Sequence, residues 1–423
     1  MSIPQSVANT IVDPKAYADG GRIDEAFTWL RREAPLEQAE PEGYDPFWVV
    51  TRHADIMEVE RQNDLFNSGG RPVTLQTQAA RETMERSPET ASMIRSMVQM
   101  DGPEHLAYRR LTQGWFVPQN LRGLEPRIRE IARTSIDSMS AYGGRCDFAR
   151  DVALLYPLRV IMEILGVPPV DEALMLKLTQ EVFGPSDPDM NASGQAVLSA
   201  EDAAKNLRQA MMQFISYFNT MTEDRRRKPL EDVASAIANG QIDGKPIGHA
   251  EAMGYYIITA TAGHDTTSNT TASALWALAE RPELLQRLKA DPSLIPGHVE
   301  ESIRWATSVK HFMRGATRDA ELGGRKIAKG EWLMLCYPSA NRDEAVFDDP
   351  FRYDVERTPN RHLAFGHGAH VCLGQHLGRM EMRIFWEELL KRLDEVELDG
   401  SPTLSVANFV CGPKTVPIKY KMT

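Results

Sequence analysis

The chain is expected to fold as a mainly helical α+β protein in one domain, residues 1–423, because three features of its sequence agree. Helical periodicity fills most of the first three hundred residues, whereas strand-like runs are short and gather towards the two ends. No linker divides the chain and no fixed-period repeat is present, which removes solenoids and propellers, while the segregation of helices from strands argues against an alternating βαβ layout.

The elements follow in order. Apolar residues at three- and four-residue spacing predict helices at 23–32, 121–142, 152–165, 171–183, 201–227, 249–279, 295–306 and 373–393. Aromatic and β-branched runs predict strands at 47–51, 309–317, 332–336 and 416–420. Glycine punctuation at 240–248 and 323–330 predicts hairpin turns or loops. A polar, irregular stretch at 71–92 leads into Met93, Ile94, Met97, Val98 and Met100, a Met-rich loop region. As one helix, 249–279 would span roughly 45 Å at about 1.5 Å per residue. Its stripe of Met253, Ile257, Ala260, Thr267, Ala274 and Leu278 predicts that it is buried.

Composition excludes several classes. An apolar share of 42% with 25% charged residues is that of a globular protein. A net charge of -11 argues against nucleic acid as the main partner, because phosphate binding needs a positive surface. The first residues lack the layout of a signal peptide, and no window offers the run of about 18 apolar residues that a membrane span needs. No membrane association and a cytoplasmic location are therefore expected. Cys146, Cys336, Cys372 and Cys411 lie far apart, so neither a zinc module nor a disulfide framework is indicated, and reduced thiols are the simplest reading.

The sharpest chemical signal is Phe365-Gly366-His367-Gly368-Ala369-His370-Val371-Cys372-Leu373-Gly374, which runs directly into an amphipathic helix. A thiolate at a helix N-terminus is stabilised by unpaired N–H groups and the positive end of the helix dipole. Glycines let the backbone pass close to a flat macrocycle. A second signal is Ala262-Gly263-His264-Asp265-Thr266-Thr267 inside the apolar stripe of the long helix, where polar residues are costly unless used. Gly263 is expected to make room for a ligand, and Thr266 to loosen its i−4 carbonyl and bend the helix. His105 and Arg109 share one helical face at i, i+4, and Glu301 and Arg304 another at i, i+3.

The Cys372 segment resembles the haem-binding loop of the cytochrome P-450 superfamily, and the resemblance extends from about Phe47 to the C-terminus. It implies a triangular helical prism with small β-sheets, holding haem b with Cys372 as the iron ligand. It further implies a monooxygenase that runs RH + O2 + 2e− + 2H+ → ROH + H2O, with Asp265 and Thr266 relaying protons to dioxygen. His105, Arg109, Arg314 and His370 would hold the haem carboxylates, with Phe365 and Gly374 belonging to the loop around the sulfur. Glu301 and Arg304 would form a buried structural network completed by Arg357 rather than Arg352.

Segments 260–268, 337–344 and 408–414 resemble the soluble bacterial branch that draws electrons from a ferredoxin and its NAD(P)H-dependent reductase and hydroxylates monoterpene alcohols such as terpineol. Cys411 departs from the glycine of that branch and would face the pocket. The resemblance implies pocket walls at 93–100, 258–263, 309–313 and 408–411; these are mainly apolar, which predicts a small or medium apolar substrate, terpenoid or alkyl-aromatic. Arg95, Lys310 and His311 would point to haem carboxylate or solvent. Arg109, Arg110, Arg122, Arg379 and Arg383 would border a docking face for the ferredoxin. A peroxide-using peroxygenase of the same fold and a non-catalytic haem-binding sensor remain as alternatives.

Overall fold

The computed structural model describes residues 2–86, 93–183, 187–189 and 200–423. The last six residues of the irregular stretch at 71–92 lie outside the described residues, and the rest of it contains a helix, Gln78–Glu85, that periodicity did not reveal.

One mixed sheet carries five strands in the order Leu36–Ala39, Phe47–Val50, Trp332–Cys336, His311–Ala316 and Phe66–Asn67. Only Phe47–Val50 against Trp332–Cys336 is parallel. Alternation along a strand sends successive side chains to opposite faces, and the two faces build two separate cores. Phe47, Val49, Met313, Trp332 and Met334 pack on the N-terminal helices. Trp48, Val50, Leu333 and Leu335 pack on the other side, with Ile56 and Val59 of the helix His53–Arg61. The glycine stretches at 240–248 and 323–330 both form hairpins, at 241–246 and 320–327.

The larger core is helical. Glu125–Ala141 packs along Gln375–Leu389, and Asp265–Ala279 along Ile295–Ala306. The helix after the cysteine is shorter than expected at both ends. It starts at Gln375 and stops at Leu389, and the strand Leu393–Leu398 follows.

The long central helix is not continuous. It runs as His249–Ala262, breaks, and resumes as Asp265–Ala279. His264, at φ -94 and ψ -76, sits at the break. Its ring is fully buried, with Nδ1 3.0 Å from the Thr179 hydroxyl and Nε2 2.8 Å from the Leu154 carbonyl oxygen. Two hydrogen bonds outside the helix therefore hold this residue off the helical path.

Glu301 and Arg304 are both fully buried and pair at 2.6 Å. Arg357 Nε lies 3.3 Å from Glu301, whereas Arg352 is exposed and reaches only Asp354, so Arg357 completes the network. Arg304 also donates to the carbonyls of Asn341 and Pro350, and the Asn341 side chain accepts from Leu363 N–H at 2.7 Å. The ion pair thus fixes the path of the chain into the cysteine loop.

Candidate active site

Between the broken helix and the cysteine loop lies a cavity of about 260 Å³. Cys372, Phe365, Gly374, Thr266, His105, Arg109, Arg314 and His370 all border it. Four widely separated stretches of sequence therefore meet at one place, and of the nine expected site residues only Asp265 stays out of the wall.

The cysteine loop is closed by Cys372 N–H donating to Phe365 O at 2.8 Å and Val371 N–H to Gly368 O at 3.2 Å. Gly366 and Gly368 both adopt φ 67, in the left-handed region that glycine enters without penalty. At Gly368 a Cβ would also sit 2.1 Å from the Glu60 carbonyl oxygen. Cys372 is enclosed by protein, yet its surface is open to the cavity. Burial pushes its thiol up, opposed by the N–H groups of Gly374 and Gln375 and by Arg109 and Arg379. A Cβ at Gly374 would lie 4.0 Å from the sulfur, so glycine keeps that side of Sγ open. Cys411 is elsewhere. It is buried among the N-terminal helices with Sγ 3.3 Å from Ser405 O, and neither it nor any of 408–411 borders the cavity.

On the opposite wall, Thr266 donates its hydroxyl hydrogen to Ala262 O at 2.9 Å, leaving its lone pairs towards the cavity. Its hydroxyl takes up the i−4 carbonyl, a contact that itself bends helices, so Thr266 and His264 both act at the break. Asp265 is buried behind the wall, Oδ1 3.7 Å from His264 Nδ1 and Oδ2 without a partner, and burial raises its carboxyl. Gly263 borders the cavity and also meets the neighbouring helix. An added Cβ would stand 2.8 Å from Ile161 Cδ1, so the glycine accommodates the neighbouring helix.

A cradle of cations and imidazoles closes one end. His105 and His370 stack with centroids 4.2 Å apart, Arg109 Nη2 donates to Val371 O at 2.8 Å, and Arg314 Nη1 donates to Met313 O at 2.9 Å. Burial, with His370 and Arg109 adding to it, holds His105 near 4, and its buried Nδ1 has no partner. Lys310 and His311 are not part of this cradle, and His311 is buried. Lys310 donates to Ala306 O at 3.0 Å, and His311 lies 3.0 Å from both Asn408 O and Leu75 N. Arg95 does face outwards, paired with Glu104 and Glu251.

The cationic face is partly neutralised. Arg379 pairs with Glu300, and Arg383 with Glu125 and Glu387, beside a groove also lined by Arg122. Sequence reasoning missed Glu60, Tyr337 and Glu381 at the cavity. Glu381 was detectable, as an acid on the apolar face of its helix beside Leu377 and Phe385. Glu60 and Tyr337 carry no such signal.

Fold and site define a class: a mainly helical α+β protein in which a glycine-bounded cysteine loop faces a broken helix across a cavity with a cationic rim. The sequence family described as Cytochrome P450 matches residues 73–421, and the chain belongs to it. It is 48% identical to cytochrome P450-terp from a Pseudomonas species over 420 residues, 99% of this chain and 98% of that one. It is 32% identical to linalool 8-monooxygenase of Pseudomonas putida over 396 residues, 93% and 94% of the two chains. The crystal structure of CYP108D1 from Novosphingobium aromaticivorans superposes with a TM-score of 0.92 at 42% identity, covering 100% of both chains.

The chain is accordingly a haem-binding P450 monooxygenase. The residues present fit that group: an open thiol in a glycine loop, two guanidinium groups, and an imidazole nitrogen left unpaired at the rim. No helix among the described residues is long and apolar enough to cross a membrane.

Proposed function

We propose that the enzyme hydroxylates a small or medium apolar molecule, terpenoid or alkyl-aromatic, with electrons from a separate iron–sulfur ferredoxin and its NAD(P)H-dependent reductase. The observation that carries this reading is the placement of Cys372 and Thr266 on facing walls of one cavity. Cys372 would hold the iron, and Arg109, Arg314, His105 and His370 the haem carboxylates. When bound, the haem supplies the redox activation of dioxygen.

The chain's own residues do the rest. Met97, Val98, Ile258, Ala262, Val309 and Phe312 exclude water and orient the substrate by shape. Thr266 Oγ1 holds a hydroxylic guest by accepting its hydrogen bond. Asp265, its carboxyl raised by burial, is the acid behind it and would have to leave His264 to reach the cavity. An acid–alcohol pair of this kind speaks for dioxygen rather than peroxide, which already carries its protons, and a sensor would need no such pair.

The substrate class rests on the wall and on the relatives. No cation other than the cradle residues Arg109 and Arg314 borders the cavity among the described residues. Burying a ten-carbon skeleton at about 0.8 kcal/mol per CH2 reaches about 8 kcal/mol, the range of micromolar binding, without an ion pair. Linalool, named for one relative, is a molecule of this kind. The test is to titrate terpenes, alkylbenzenes and fatty acids, following the haem spin-state shift, and then to assay turnover with a ferredoxin chain against peroxide alone. Shifts with neutral terpenes and ferredoxin-driven product are expected. Tight binding of fatty acids alone, or turnover with peroxide alone, would overturn the reading.

A further inference from the structure

The residues used so far leave two buried acids of the cavity wall without a task, Glu60 and Glu381, and Glu60 is the one beside a cradle cation. Glu60, in the helix His53–Arg61, is 5% exposed and borders the cavity with Arg314, Gly366 and His370. Its two oxygens differ. Oε1 accepts from the Tyr337 hydroxyl at 2.7 Å and stands 3.8 Å from Arg314 Nη2. Oε2 is buried without a partner, which is costly for a carboxylate. The position is built closely, since a Cβ at Gly366 would lie 3.3 Å from Oε1.

Charge balance decides what such an acid does. In the proposed haem cradle, Arg109 and Arg314 offset the two carboxylates of haem b, so Glu60 must share Arg314 rather than own a cation. Burial pushes Glu60 up to about 7, against the lowering effects of Arg314, Tyr337 and the His367 N–H. The other groups facing it are shifted by their own surroundings. Burial raises Tyr337 far above its ordinary value, and burial with Arg61 and His53 nearby lowers His367. Further along the rim, His105 and His370 are also held below their ordinary value, chiefly by burial.

We propose that Glu60 is a redox-linked proton site at the haem carboxylates. As one electron from the iron–sulfur donor enters the haem, the Glu60 carboxylate takes one proton from solvent and becomes the acid; on reoxidation it returns that proton. Reduction removes one positive charge from the centre, which favours the protonated acid, and by linkage protonation favours reduction equally. The proton gives the unpaired Oε2 a hydrogen to donate towards a haem carboxylate.

The inference rests on the haem-site reading above, and the experiment separates the two. The haem potential of the purified holoenzyme is titrated spectroelectrochemically across neutral pH. Between the acid's two pKa values the wild-type potential should fall as pH rises, by up to about 59 mV per pH unit, the one-electron value of a tenfold change. Glu60→Gln should be flat over the same window. Tyr337→Phe, which removes a hydrogen bond favouring the ionised acid, should move the window to higher pH and carries the test if Glu60→Gln does not assemble. A flat wild-type profile, a Glu60→Gln profile parallel to wild type, or an unmoved window in Tyr337→Phe would overturn the proposal. The reduced carbon monoxide spectrum is recorded alongside. An intact thiolate band with an unchanged slope removes Glu60 alone, whereas a band absent from wild type removes the haem-site reading itself.

Discussion

Replacing Gly263 by alanine should destabilise the protein through Ile161. The added methyl would stand 2.8 Å from Ile161 Cδ1 and 3.0 Å from Cγ1, both closer than carbon atoms tolerate. Ile161 is 3% exposed to solvent and itself borders the cavity, so its side chain can give way only towards that space. Overpacking of this kind costs about 1–3 kcal/mol. Gly263 has helical angles, φ -79 and ψ -16, so alanine recovers up to about 1 kcal/mol of helix propensity. A net loss of about 1 kcal/mol remains. Ile161→Val removes Cδ1 and by itself costs about 0.5–1.5 kcal/mol. In the double variant the clash is largely relieved, so a double-mutant cycle by urea denaturation should show a favourable coupling of about 1 kcal/mol. Strictly additive losses, or a Gly263→Ala protein of unchanged stability that no longer binds substrate, would refute this account of the glycine.

Other outcomes follow from the same geometry. Thr266→Ala should retain haem but form less product per NAD(P)H consumed, as acid–base steps are typically worth 10²–10⁴-fold; unchanged coupling would remove Thr266 from proton delivery. Arg304→Ala leaves Glu301 buried with one cation fewer and should cost about 3–5 kcal/mol, whereas exposed Arg352→Ala should cost less than about 0.5 kcal/mol; equal losses in denaturation would contradict the assigned network. At Glu388 burial raises the carboxyl, but Arg133, Arg129 and Lys391 outweigh it and hold it near 2. Its contribution to stability is therefore present above the unfolded value of 4.5 and is lost as pH falls towards 2. Glu388→Gln should flatten that part of the acid-unfolding profile. Electron transfer from an acidic ferredoxin should slow as salt rises, since exposed charges are screened within about 10 Å at 0.1 M. With Arg379 and Arg383 already in ion pairs, the slope should be shallow, and no slope at all would remove electrostatic steering.

Much of this was legible in the sequence because its signals are local. The cysteine decapeptide combines glycines that need positive φ with a thiol and a following helix, and the i, i+3 and i, i+4 spacings place Glu301 with Arg304 and His105 with Arg109. A bend at Thr266 was legible but the full break was not, because His264 is drawn off the helical path by Thr179 and Leu154, partners 85 and 110 residues away. The orientation of Cys411 failed for a similar reason. Val410 bridges to Val309, and the next residue turns into the N-terminal core, which no spacing reveals. Lys310 and His311 looked like free cations, yet their partners are backbone groups supplied by Ala306, Asn408 and Leu75.

The central claim is that Cys372, and no other cysteine, holds the haem iron. The most direct test is the absorption spectrum of the reduced carbon monoxide adduct for Cys372→Ser beside Cys146→Ser, Cys336→Ser and Cys411→Ser. Loss of the strongly red-shifted thiolate band in Cys372→Ser alone, with the band retained in the other three, is the predicted result. Retention of that band in Cys372→Ser would contradict the assignment and the site built upon it.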